Sequence, residues 1–271
     1  MQLTCAQIIA FQRFIVDFYG QHGRTFAWRH IENPYQIVVS EIMLQQTQTY
    51  RVEPKFEQFI ATFPDFELLA QASLRDVLTM WQGLGYNRRA KFLHELAQKI
   101  VTEHGGYLPQ SPEILQTLPG IGKATAASIC AFAFNMPTVF IETNIRAVYI
   151  HSFFPTQEIV SDKELMPLIA QTVDSENPRQ WYYALMDYGV FLKKLHKNPS
   201  RKSAHHVQQS RFEGSDRQIR GAIIRALVER NRLDELGLRL ISNDLVRVKK
   251  IIQQLCLEGI VVQHDQWYSI I

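Results

Sequence analysis

Residues 118–123 read Leu-Pro-Gly-Ile-Gly-Lys. Two glycines around one apolar residue let a chain turn tightly while Ile121 anchors the turn in a core. A turn of this kind presents consecutive backbone N–H groups. A helical pattern resumes near Lys123, so the unpaired amides and positive dipole end of a helix N-terminus fall at the same place. Gly120, Gly122 and Lys123 thus make an anion site suited to a nucleic-acid phosphate, held without reading a base. The plainer alternative is an ordinary helical hairpin. A nucleotide-binding P-loop is excluded, because both the GxxxxGK[ST] spacing and the preceding strand are missing.

The remaining chemistry is mostly basic. The 271 residues carry 29 Lys and Arg against 26 Asp and Glu, a net charge of +3 that permits nucleic-acid binding without arguing for it. Local clusters say more: a basic stretch over 193–202, and Arg247, Lys249 and Lys250 further on. The three cysteines, Cys5, Cys130 and Cys256, are widely spaced. No disulfide scaffold, structural zinc or four-cysteine iron–sulfur cluster is expected, and no metal. His205 and His206 are adjacent but lack further ligands. Asp187 is a lone acid in the apolar run Trp181–Leu192 and is expected to brace the neighbouring hairpin helix. Met1–Gln12 lacks a basic n-region and a cleavage site, and no run of 18 apolar residues occurs. A reducing cytoplasmic setting is expected, on the nucleoid in a bacterium.

These groups need a scaffold, and helical periodicity supplies it from about Thr4 to Leu195, with almost no strand-like alternation. Gly105-Gly106 stops one helix and Pro119-Gly120 another. Residues 1–197 are therefore read as an all-α domain. Residues 198–215 are polar and basic and read as a linker, either a solvated hinge or a phosphate-contacting strap. Residues 216–271 read helix, helix, helix and two short β runs, "GIVVQ" and "QWYSII", the order of a small winged-helix-like α/β domain.

"SEIMLQQTQ" (40–48), "WQGLGY" (81–86), "LPGIGKATA" (118–126) and "ALMDYG" (184–189), with "FAWR" at 26–29, resemble the adenine glycosylase branch of the helix-hairpin-helix (Gly-Pro-Asp) DNA glycosylase superfamily. The resemblance spans roughly Phe11 to Gly189. It implies the helix-hairpin-helix glycosylase fold, with residues 1–197 forming two helical subdomains and the substrate pocket between them, and a partner of double-stranded DNA with a mispaired or damaged base, met by a monomer. It implies a DNA N-glycosylase that extrudes the base before cutting.

By the same resemblance, Glu41 is the acid that protonates the leaving purine; apolar Ile37, Val38, Val39, Ile42 and Leu44 around it argue against a fully solvated side chain, and burial is expected to raise its pKa. Gln46 enters the helix beside the flipped base, and Trp28 and Arg29 line the pocket, while Tyr86, at the end of "GLGY", either holds or wedges the DNA strand or simply packs. Glu142, within "IETNIR", stands where the superfamily has its aspartate, and Asn144 keeps that motif's asparagine. Glu142 is expected to stay ionised beside the sugar. Three features depart from the branch. Ala124 occupies the position of the lyase lysine, so no β-lyase step is expected. "FLKKLHKNPSRKS" replaces the iron–sulfur loop without a cysteine, so no cofactor is expected. The C-terminal segment is too short for the branch's Nudix-like domain. Excision of mispaired adenine leads; the alternatives are another base (thymine, uracil, hypoxanthine or a further lesion) and a non-catalytic structure-specific DNA-binding protein.

Overall fold

Helices begin where the sequence supplies caps. In the computed structural model, which describes residues 1–206 and 211–271, α1 (Cys5–His22) opens with a capping box between Thr4 and Gln7. After a 3₁₀ turn at Ala27–Arg29 come α2 (Pro34–Leu44), α3 (Thr49–Thr62), α4 (Phe66–Gln71), α5 (Leu74–Met80) and α6 (Arg88–His104). Asp65 and Ser73 cap α4 and α5. Gly105, at φ +60°, ends α6 in the left-handed conformation glycine tolerates. Then follow α7 (Pro112–Leu115), α8 (Lys123–Phe134), α9 (Thr143–Phe153), α10 (Asp162–Thr172) and α11 (Pro178–Leu195).

The chain divides into two compact units. The first combines residues 1–37, 110–117 and 121–208. Its core is α8, buried from Ala126 to Ala133, beside the aromatic face of α11. Phe132 stacks on Tyr183, and Phe11 meets Tyr149, Phe153 and Trp181 edge-on. Trp181, Tyr182 and Tyr183 therefore pack, as their apolar setting implies. The start of the expected linker belongs here: Pro199–Lys202 is a 3₁₀ turn with Pro199 and Ser200 buried, and Ser203 bridges to Val160. Residues 207–210 of that linker lie outside the described residues.

The second unit joins residues 38–109 and 118–120 to 209–271. Its helical half packs α6 on α4 and α5 through Leu93, Leu96, Ala97 and Ile100. The C-terminal half contains α12 (Asp216–Arg230), β1 (Arg232–Leu233), α13 (Glu235–Arg239), α14 (Leu245–Leu257), β2 (Val261–His264) and β3 (Trp267–Ile270). The antiparallel sheet has the order β1-β3-β2, with Arg232 opposite Ser269 and Val262 opposite Ser269 on the other side. The winged-helix-like order is present, with a two-residue strand too short to show as alternation. Helix α12 packs on α5, and Arg75 donates to the Val228 carbonyl. The C-terminal half thus shares one unit with residues 38–109, a division different from the expected succession of 1–197 and 216–271. Among the described residues no helix is long and apolar enough to cross a membrane.

Buried His94 on α6 adds a pH dependence. Burial holds its imidazole below the ordinary value of 6.5, against hydrogen bonds to the Ala72 and Ala70 backbone and the charge of Glu95. The unfolded chain takes up that proton near pH 6.5 and the folded chain only at lower pH, so stability falls as pH drops below about 6.5. Urea midpoints measured from pH 7.5 to 5 should show this decline, and His94→Gln should flatten it. An unchanged slope in the variant would remove His94 from the account.

Candidate active site and nucleic-acid interface

In the first unit, Glu142 is the N-cap of α9. Glutamate lies outside the usual N-cap set, yet here its longer side chain turns back onto the helix. Oε1 accepts from the amides of Asn144 at 2.8 Å and Ile145 at 2.9 Å, and Oε2 from Asn144 Nδ2 at 3.2 Å. These contacts are all donors, the set a carboxylate accepts, and they sit at the positive end of the helix. Asn144 is oriented in turn by Lys193 of α11, whose Nζ donates to Asn144 Oδ1 at 2.7 Å. Burial lowers the Lys193 pKa, Glu142 pulls it back up, and Arg146 lowers it further. Gly189 lets α11 come this close: a Cβ there would lie 2.4 Å from the Asn144 carbonyl oxygen. The glycine of "MDYG" is therefore a packing requirement of the Glu142 cap.

Asp187, two residues earlier, has a different partner from the hairpin helix expected of it. It is 3% exposed and binds the "FAWR" turn. Arg29 gives it two bonds of 2.7 Å; the Arg24 amide donates at 2.7 Å and Arg24 Nε at 2.8 Å. Burial alone would raise this carboxyl, but the bonds from Arg29 and Arg24 and the Arg29 charge together hold it below the ordinary value. The Arg29 guanidinium also lies over Phe26 and Tyr183, and Trp28 is buried and stacked on Phe26. Arg29 thus braces the turn from inside.

In the hairpin, only Gly120 takes the left-handed conformation, at φ +77°, and a Cβ there would meet Phe92 at 2.8 Å. Gly122 is the N-cap of α8 at an ordinary φ of −88°, with no side-chain cap. Its lack of a side chain keeps the first amides of α8 accessible beside exposed Lys123 and Ala124.

The second unit gathers Gln46, Tyr86 and Gly120 around one cavity of about 480 Å³. Gln46, exposed just past α2, has φ +54°, and Tyr86, at the end of "GLGY", has φ +48°. Each non-glycine residue in this region costs about 1–3 kcal/mol and persists only where its surroundings enforce it. The enforcing group is Arg89 on α6, which is 9% exposed. Its NH1 donates to the carbonyls of Ile42, Met43 and Gln45; its NH2 donates to Thr47 Oγ1 and to the Leu84 and Gly85 carbonyls. It thus closes the C-terminal end of α2 and fixes the carbonyl immediately before each of the two strained residues. Burial lowers its pKa to about 10, partly offset by Tyr86. Glu41, half-buried, opens the last turn of α2, the helix end that Arg89 closes. Sequence reasoning missed Arg89; "NRR" directly after "GLGY" was its only mark.

The residues present do not suit an iron–sulfur cluster. Cys5, Cys130 and Cys256 lie on α1, α8 and α14, and the turn after α11 has no cysteine.

Residues 39–173 match the family model described as HhH-GPD superfamily base excision DNA repair protein. The chain is 30% identical to the adenine DNA glycosylase of Mycolicibacterium smegmatis over 274 residues, 92% of either protein. It is 34% identical over 189 residues to the adenine DNA glycosylase of Buchnera aphidicola, covering 68% of this chain. It spans about half the length of that relative, 53%. Among solved structures, a thermostable thymine-DNA glycosylase superposes with a TM-score of 0.63 at 28% identity, over 68% of this chain and 86% of the other.

The Asp187 brace yields a stability prediction. Asp187→Asn keeps the shape but leaves the Arg29 guanidinium buried without its counter-charge, a loss of about 3 kcal/mol or more. Chemical denaturation of the variant should show it. A loss under about 1 kcal/mol would mean the brace contributes little.

Proposed function

The chain belongs to the HhH-GPD superfamily of base excision DNA repair proteins, in its adenine-DNA-glycosylase-like branch, and from that membership we propose a monofunctional DNA N-glycosylase that removes a flipped, mispaired adenine from duplex DNA. The observation that carries this reading is the Glu142 carboxylate, held by three donors at the N-terminus of α9. A preorganised anion of this kind serves a reaction in which positive charge develops on a sugar.

In the proposed reaction Gln46 and Tyr86 fill the space the extruded nucleotide leaves. Glu41, in its acid form, gives its proton to a ring nitrogen of the adenine. The bond from C1′ to the base breaks with its electron pair going to the base, which leaves as neutral adenine. Glu142 stabilises the oxocarbenium-like sugar. Water adds to C1′, and its surplus proton returns to Glu41. Ala124 offers no amine, so the reaction ends at an abasic site without strand cleavage. The exposed first amides of α8 and Lys123 hold a backbone phosphate. The enzyme acts as a monomer on duplex DNA in the cytoplasm, at the nucleoid in a bacterium.

Thymine opposite guanine is a second reading. It is favoured by the likeness to a thymine-DNA glycosylase at 28% identity and by Glu142 at the position of the aspartate. A pyrimidine leaves as a stabilised anion and depends less on an acid such as Glu41.

Single-turnover excision from duplexes that each carry one defined mispair or lesion, followed by alkali, tests both. Adenine release is expected; thymine release alone would favour the second reading. Glu142→Gln retains an oxygen for the cap but loses the charge. It should slow excision about 10²–10³-fold while duplex affinity stays within about tenfold. Excision at the wild-type rate would remove Glu142 from the chemistry.

A further inference from the structure

A carboxylate that answers a developing charge must be held in one orientation, and glutamate has one more rotatable bond to hold than aspartate. At Glu142 the main chain of α9 holds Oε1, which takes the amides of Asn144 and Ile145. The plane of the group is set at its other end, where Asn144 Nδ2 donates to Oε2 at 3.2 Å. An asparagine amide can face either way, since its oxygen accepts and its nitrogen donates. Lys193 decides between the two. An ammonium has three donors and no acceptor, so with Nζ 2.7 Å away Asn144 turns Oδ1 toward it. Nδ2 is then left facing the carboxylate. An unprotonated amine carries a lone pair and would receive the flipped amide as well, which puts Oδ1 against Glu142.

The charges that act on Lys193 are Glu142, which favours the ammonium, and Arg146, which opposes it. Arg146 is itself engaged by Asp162 through two bonds of 2.8 Å. The other helices packed on α11 bring His22 of α1, stacked on Phe191, and Lys123 and the buried Cys130 thiol of α8. His196, just past α11, stacks on His151 of α9.

We propose that Lys193 is a positioning residue for excision: its ammonium, acting through the Asn144 amide, sets the plane in which the Glu142 carboxylate meets the sugar. The proposal rests on the glycosylase reading for the reaction that Glu142 serves. Lys193 stands at one remove from the reacting atoms, and its proton is retained throughout the reaction. Burial, aided by Arg146, makes that proton easier to lose than an exposed lysine's, against the pull of Glu142. The benefit of Lys193 is therefore present at neutral pH and fades on the alkaline side, below the ordinary lysine value of 10.5.

Single-turnover excision by the full chain at saturating enzyme, followed from neutral pH to about pH 10, tests this. Lys193→Met is close in length and cannot donate. At neutral pH it should be slower than wild type by about ten- to hundredfold, and the ratio of the two rates should fall toward one as pH rises. Taking the ratio cancels the titration of every other group common to both proteins. Lys193→Arg stays charged and should keep its advantage over Lys193→Met across the range. In an Asn144→Ala background Lys193→Met should cost nothing further, because the relay is already cut. A lysine that only packed α11 on α9 would give a ratio independent of pH and a loss additive with that of Asn144→Ala. Thermal midpoints establish that each variant is folded. Carbon-13 NMR of the Asn144 side-chain carbonyl gives a reading independent of excision: it should titrate in wild type and stay constant in Lys193→Met. Wild-type rates in Lys193→Met, a ratio independent of pH, or an Asn144 carbonyl that ignores pH overturns the proposal. The glycosylase reading fails separately, if wild type excises no base from the mispair panel while the carbonyl still titrates.

Discussion

One guanidinium ties together the turns that are candidates to enter DNA. Arg89 is nearly inaccessible to solvent and donates to six oxygens, five of them main-chain carbonyls from two separate segments. Three of those carbonyls lie at the end of α2, where a helix leaves acceptors without intrahelical partners. The other two belong to the "GLGY" turn, and the sixth oxygen is the Thr47 hydroxyl. Lysine could not do this: it offers three donors at one point, whereas arginine spreads five over a rigid plane. Because the Gln45 and Gly85 carbonyls are fixed, Gln46 and Tyr86 are held in backbone conformations they would otherwise leave. The ordering of both turns is thus settled in the protein itself, so a ligand that met them would lose less entropy on binding.

The first unit uses helix α11 in a comparable way. Asp187 anchors the "FAWR" turn, Gly189 admits the backbone of Asn144, and Lys193, one helical turn on, fixes the Asn144 side chain. Glu142 is therefore the end of a chain of contacts that begins on α11. Lys193 lies in the segment that replaces the cysteine-bearing loop of the resembled branch, so a half-buried cation ties α11 to α9 in this protein.

Much of this was legible in the residues. The hairpin, the helical domain and the motif positions follow from glycine spacing, periodicity and short sequence signatures. Positions whose role comes from long-range packing were not. Arg89 reads as one cation in a polar turn until α2 folds back over it. Asp187 reads as a brace, but which turn it braces depends on how α1 and α11 meet. Among the C-terminal cations, Arg247, Lys249 and Lys250 form a dense cluster in sequence, while Arg217 and Arg225, eight residues apart, share a face only once α12 is formed. The turn at Pro199–Lys202 looked like a linker because its composition is polar, and its buried proline and serine become apparent only against α9.

The claim that a single arginine orders both turns can be tested by amide hydrogen exchange on Arg89→Lys. The account predicts faster exchange in two stretches at once, Gln45–Thr47 and Leu84–Asn87, with the Asn144 and Ile145 amides that bind Glu142 unaffected. Unchanged protection in both stretches, or a loss confined to one of them, would contradict it.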